Sequence, residues 1–174
     1  MKETITDLIT RRSCRKFTAD PIAPDVLDSI LKAGTFAPTG HGSQSPVMVL
    51  VTDPQTVELF SRINGEIMGA KHDPFYGAKT LVIVFADTAA HTGRQDAVLV
   101  MGNLLNAAHA LGIGSCWINR AKEMFEQPQL QSYRAKWGLP ASMEGMGICA
   151  LGHAEPDGIR TTPAPRKPGY IIRD

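Results

Sequence analysis

Four short stretches of this chain carry residue types that can do chemistry. The first is RRSCRKF, Arg11 to Phe17, where Arg11, Arg12 and Arg15 lie within five residues and Ser13 sits between them. Arginine offers planar, forked donors, and a serine hydroxyl with backbone amides can complete a phosphate cradle. The same cluster also suits a solvated helix end, since cations are favourable near a helix C-terminus. The second is PRK, Pro165 to Lys167, in which Arg166 and Lys167 stand among Pro163, Pro165 and Pro168. Prolines stiffen such a segment and present its two cations in a restrained geometry, although a solvated tail looks the same. With one basic spot near each end of the chain, the two together can share a single phosphate.

The third stretch is APTGHGSQSP, Ala37 to Pro46. Thr39, His41, Ser43 and Gln44 supply donors and acceptors, and Gly40 and Gly42 permit close approach. A glutamine amide at Gln44 can hydrogen-bond the edge of a heterocycle, while an ordinary turn has the same composition. The fourth is GIGSCWI, Gly112 to Ile118, whose glycines let the backbone come near a flat ligand that Trp117 can help enclose. Cys116 qualifies as a nucleophile only with a base beside it and a depressed pKa. No His or Asp stands close to it in sequence, so a small buried thiol is the simpler reading. His109, inside an apolar run, reads as a core histidine. The chain has no Ser-His-Asp order, HExxH or paired-carboxylate motif. Ligand-binding features without an acid, base or nucleophile point to a cofactor that carries the reaction.

The elements that must position these groups are organised around residues 94–119. From Ala97 to Leu111 apolar residues occupy nearly every helical face, the pattern of a buried helix. Gly102, Asn103, Asn106 and His109 interrupt it, and it is too short for a bilayer. Gly112 stands where a left-handed stop is needed, and a short core strand follows. Before this unit, Ile5, Leu8 and Ile9 mark one face of a helix over 4–12, and Pro24 opens a helix to about Thr35. Val47–Val51 reads as a strand, Asp53-Pro54 as a helix start, and Thr80–Ala86 as a strand buried on both faces. After it, Pro128 divides a helical region, and Met146–Leu151 reads as a last strand. Alternation of strands and helices suggests a doubly wound parallel sheet. Against a dinucleotide fold, there is no GxGxxG opening a helix and no GxxxxGK[ST].

The 174 residues suffice for one domain with a substantial core, and no repeat or second domain is visible. With 43% hydrophobic and 20% charged residues and a net charge of +1, no global field favours nucleic acid or an anionic membrane. No apolar run reaches membrane-spanning length, and MKETITDLITRRS holds no signal-peptide core. Cys14, Cys116 and Cys149 follow no metal or disulfide spacing, so free thiols in a reducing cytoplasm are expected.

Taken together, RRSCRKF, APTGHGSQSP, DAVLVMGNLLNAAHALGIGSCWI and ALGH…PAPRKP resemble the nitroreductase family of flavin mononucleotide (FMN) enzymes in order and spacing. RRSxR alone is a weak signal; the ordered set spans almost the whole chain, which looks like a short, minimal member. The resemblance implies an α+β, three-layer fold: a central, mainly antiparallel sheet flanked by helices, in place of the parallel sheet that alternation suggests. It implies an intertwined homodimer with FMN at the interface, the apolar helix in the dimer core and residues 153–174 packed on the partner subunit. By position, Arg11, Arg12, Ser13 and Arg15 look like contacts to the FMN phosphate, ribityl chain and pyrimidine, and Arg166 with Lys167 like the second phosphate contact. Pro38, Thr39, Gly40 and Gln44 look like the loop that approaches flavin from the other subunit. Gly114, Ser115, Cys116 and Trp117 look like the strand beside the isoalloxazine ring, and Asn64 and Lys71 are candidates for two further contacts. The implied activity is ping-pong reduction of flat electrophilic small molecules, such as nitroaromatics or quinones, with NADH or NADPH as donor. A dehydrogenase or dehalogenase on the same scaffold, and a flavin-binding dimer without turnover, are the alternatives.

Overall fold

A computed structural model describes residues 1–160 and 162–174. Thr161, inside the expected C-terminal extension, lies outside them. The elements run α1 (Glu3–Thr10), α2 (Pro24–Thr35), β1 (Val47–Val51), α3 (Pro54–Met68), β2 (Thr80–Asp87), α4 (Gly93–Ala110), β3 (Gly114–Ile118), α5 (Ala121–Glu126), α6 (Gln131–Lys136) and β4 (Met143–Gly152). Short 3-10 turns lie at Gly40–Gly42 and Pro128–Leu130.

Local chemistry explains most of these boundaries. The Asp53 carboxylate accepts from Thr56 N at 2.9 Å, Pro54 occupies the first turn of α3, and Gly69 ends it at φ 67°. An aspartate cap, an early proline and a left-handed glycine are the ordinary signals for such a helix. Gly112 closes α4 at φ 73°, and Ile113 N donates back to Ala108 O at 2.8 Å.

The sheet order is β1-β2-β4-β3, and all three pairings are antiparallel. The parallel sheet suggested by alternation is therefore wrong. Fully buried strands need helices over both faces, a condition an antiparallel sheet meets as well. Along β2, Leu81, Ile83 and Phe85 enter one core cluster, while Val82, Val84 and Ala86 enter the other. The first core lies under α3, α5 and α6, where Phe60, Phe85, Phe125, Tyr133 and Trp137 pack with ring centroids 5.0–6.2 Å apart. The second lies under α2 and α4. The result is three layers, helices–sheet–helices.

Residues 153–160 are held by their own chain. Cys14 and Phe17 form bridges with Ile159 and Ala154, Arg15 N donates to Gly158 O at 2.8 Å, and Lys16 pairs with Asp157. No helix among the described residues is long and apolar enough to cross a membrane.

At the start of β4 Glu144 joins three elements. One carboxylate oxygen meets Arg94 Nε of α4 at 2.9 Å, the other Lys122 Nζ of α5 at 2.9 Å. Hydrogen bonds from Arg94 and then Lys122 hold the Glu144 carboxyl down to about 2, against an ordinary value of 4.5. A carboxylate lowered in the folded state contributes stability that is complete above the unfolded value and lost as pH falls through the folded one. Wild type is expected to lose melting temperature between about pH 4.5 and 2, and Glu144→Gln to flatten that part of the profile; thermal melts across the range check it.

Candidate functional site

The cluster is built where the segment after α1 crosses the start of β3. Cys14 N donates to Ser115 O at 2.8 Å, fixing RRSCR against GSCW. Gly114 is required there: a Cβ would lie 3.0 Å from Cys14 Cβ, Cys14 Sγ and Gly152 O. The buried side chain of Cys14 and the glycine thus let two chain segments meet at backbone distance.

Arg11 is the C-terminal cap residue of α1, and Arg12 Nη1 donates to Ile9 O at 2.9 Å and Arg11 O at 2.7 Å. Arg11 Nη1 and Arg12 Nε are buried donors with no partner. Arg11 and Arg12 line a cleft of about 610 Å³ with Leu8, Ile9, Pro163, Ala164, Pro165 and Arg166. Among the described residues no acidic side chain lines it. The two basic spots from opposite ends of the chain therefore share one cleft. Lys167 is not among its lining residues; its Nζ lies 5.4 Å from the centre of the Tyr170 ring.

Ser13, Arg11 and Arg15 surround Cys116. Burial pushes the Cys116 thiol up, and the Arg15 guanidinium, the Ser13 hydroxyl and the Arg11 guanidinium offset this only in part. Burial raises Cys14 and Cys149 as well, so all three thiols stay protonated near neutrality. Nucleophilic catalysis by Cys116 is disfavoured on this ground. Along β3 the side chains alternate: Cys116 joins the first core, whereas Trp117 turns to the α4 side and packs over Gly147. A Cβ on Gly147 would meet the indole at 2.9 Å, and the indole Nε1 is a buried donor without a partner. Ser115 is buried, its Oγ 3.5 Å from Leu105 O.

The 38–44 loop lies elsewhere. Gly40 N donates to Asp96 Oδ1 at 3.1 Å, near the start of α4, whereas α1 meets α4 near its end, where Thr10 Oγ1 lies 2.9 Å from His109 Nε2. At 1.5 Å per residue, about 20 Å of helix separate these two points. Thr39 and Gln44 border a hollow of about 150 Å³ with Met48 and Val100, and Pro38, His41 and Ser43 are exposed. Within one chain the loop and the arginine cleft do not meet.

Asn64 is fully buried. Its Nδ2 donates to Asn119 O at 2.9 Å, and its Oδ1 accepts from Arg120 Nε at 3.0 Å. That amide locks the far end of β3, and it does not reach the arginine cleft. Lys71 lines a separate hollow beside α3. Sequence reasoning did not single out Asp96, whose one signal was a carboxylate standing at the head of an otherwise apolar run.

The chain matches the model described as the Nitroreductase family over residues 8–69 and 48–153. It is 25% identical to an NADH dehydrogenase/NAD(P)H nitroreductase by name from Archaeoglobus fulgidus, the match covering 88% of this chain and 86% of that one. A NADPH-flavin oxidoreductase of Vibrio harveyi is 27% identical, over 99% of this chain and 73% of that protein. A Bacteroides fragilis nitroreductase solved with bound FMN superposes with a TM-score of 0.89 at 27% identity over the whole of both chains. With the antiparallel three-layer fold and the family's model spanning both RRSCR and ALGH, the chain belongs to the nitroreductase family.

Proposed function

We propose that this chain is an FMN-dependent oxidoreductase that draws on NADH or NADPH and reduces flat electrophilic acceptors such as nitroaromatics and quinones. The observation that carries the reading is the acid-free cleft where Arg11, Arg12 and Arg166 converge with two buried donors unmatched. Unpaired buried donors are costly, and an anion held there relieves them. The FMN of the Bacteroides fragilis structure and the Vibrio harveyi relative's name support the same reading.

Arg11, Arg12 and Arg166 would hold the phosphate, and Ser13 and the backbone at Gly114 and Ser115 would pass close to the flat ring system. FMN, when bound, supplies reversible two-electron redox chemistry. Donor and acceptor use one site in turn, which gives ping-pong kinetics. The protein's own part would be orientation and charge: Arg15, whose guanidinium acts on Cys116, would stabilise negative charge developing on a bound flavin. Arg15→Ala is expected to lower kcat roughly tenfold, less than an enclosed donor would give, with FMN content unchanged. Stopped-flow reduction of the loaded variant checks it, and full activity would remove Arg15 from this role.

The working unit is a homodimer with FMN at its interface. The distance between the 38–44 loop and the arginine cleft supports this, as do the open apolar faces of α1, α4 and the tail, where Leu8, Leu99 and Ile172 are exposed. The three free cysteines go with a reducing compartment such as the cytoplasm. A visible spectrum of the purified protein, before and after anaerobic NADH or NADPH, tests the function. A flavin spectrum that bleaches supports it. A flavin that stays oxidised leaves a binding protein, and no flavin uptake from added FMN overturns the reading.

A further inference from the structure

Asp96 is a buried carboxylate, 2% exposed, and none of the ion pairs among the described residues involves it. Both its oxygens face neutral donors. Oδ1 accepts from the backbone N–H of Gly40 at 3.1 Å, and Oδ2 accepts from Thr92 Oγ1 at 3.0 Å. Burial raises the cost of losing either hydrogen bond, because the freed group would be left without a partner.

The other end of this contact is an unusual loop. His41 and Gln44 both adopt left-handed backbone, at φ 54° and 48°, a conformation that costs a residue with a side chain and persists only where surroundings impose it. Two contacts impose it here. Asp96 ties down Gly40, and the Thr39 hydroxyl accepts from Gln44 N at 3.0 Å, closing the turn. Gly40 has no room for a side chain, because a Cβ would lie 2.1 Å from Thr92 Oγ1. The fit between loop and helix is therefore tight around the carboxylate.

We infer that Asp96 is a positioning residue: its buried carboxylate clamps the 39–44 loop to α4, so that Thr39 and Gln44 meet the partner subunit's FMN already in shape. This rests on the flavin reading and on the loop's assignment to the other subunit. Without the clamp, the strained turn relaxes, and ordering it again must be supplied by binding. Asn at position 96 keeps a carbonyl oxygen for Gly40 N–H and retains the contact. Ala removes it, and Gly40→Ala strains it from the loop side, because the added Cβ and the Thr92 side chain that bonds Asp96 Oδ2 cannot keep their present places.

Hydrogen exchange and FMN titration of the full chain test this. Without added cofactor, the amides of 40–44 are expected to exchange about tenfold faster in Asp96→Ala and Gly40→Ala than in wild type, and near the wild-type rate in Asp96→Asn. FMN affinity is expected to fall about tenfold in the first two variants and to recover in Asp96→Asn. A general structural role would lower the melting temperature and speed exchange throughout the core, whereas the clamp predicts faster exchange confined to 40–44. Gly40→Ala lies outside the core and carries the test if Asp96→Ala does not fold. Equal loop protection in wild type, Asp96→Ala and Gly40→Ala overturns the clamp while FMN binding stands, as does an Asp96→Asn variant no better than Asp96→Ala. A wild-type chain that takes up no FMN overturns the flavin reading, and with it the clamp's purpose.

Discussion

Replacing Arg11 and Arg166 together by alanine is expected to weaken FMN binding by about three orders of magnitude, because each hydrogen bond to a charged acceptor carries about tenfold to a hundredfold. The two side chains reach one cleft from opposite ends of the chain. They act on a shared anion, so the double variant is expected to lose less than the sum of the singles. The fold is expected to survive. Helix α1 has no buried residue, Arg166 is exposed, and Arg11 Nη1 already lacks a partner. Removing a guanidinium whose donor is unmatched takes nothing from the core. Lysine at either position keeps charge without the planar fork, so Arg11→Lys is expected to fall between wild type and alanine. Flavin fluorescence during titration of the apoprotein measures the affinity, and circular dichroism confirms the fold. A double variant that takes up FMN as wild type does would show that this cleft does not hold the phosphate.

A charge on the open face of α4 is expected to convert the proposed dimer to monomers. Val98 and Leu99 are 43% and 46% exposed on an internal helix, and Gly102 beside them faces open space. Ile5, Leu8 and Ile9 of α1 extend the same apolar character. In a two-fold interface each substitution counts twice. Burial of one leucine side chain contributes about 1.5–3 kcal/mol, so Leu99→Glu is expected to weaken dimerisation by about two to four orders of magnitude. The FMN affinity should fall in the same variant, because the 38–44 loop no longer reaches the arginine cleft of the other chain. Gly102→Leu separates interface from fold. In an isolated chain a Cβ at this position meets nothing within 4 Å, and replacing glycine inside a helix stabilises by roughly 0.5–1 kcal/mol. A loss of dimer with undiminished monomer stability is thus the expected result, read by sedimentation and chemical unfolding. A wild-type chain that is monomeric at micromolar concentration yet binds FMN fully would overturn the dimeric site.

Much of this molecule can be read from short stretches of sequence. The helix over Pro24–Thr35, the strand over Val47–Val51, the capped start at Asp53-Pro54 and the stop at Gly112 stand where residue type and spacing place them. Each depends on one cap, one φ angle or one hydrophobic period, and such terms are complete within a few neighbouring residues. The same holds for the basic character of RRSCR and PRK. Charge alone left open whether the two spots share one phosphate or are solvated surface; Arg11, Arg12 and Arg166 line one cleft, and Lys167 does not.

Pairing across the chain was not legible in this way. Element alternation pointed to a parallel sheet, and the strands pair antiparallel, because direction depends on where the connecting helices return and not on the strands' own residues. The all-apolar helix proved to be buried on one side and open at Val98 and Leu99, since burial is a property of what packs against a helix. Asn64 carries nothing in its neighbours to show that its amide would be enclosed between Asn119 and Arg120. Asp96 likewise stands 56 residues from the glycine it holds. Local free energies are written in local sequence; the partners of a buried polar group are chosen only when distant segments close on one another, and there the cost of leaving such a group unmatched does the choosing.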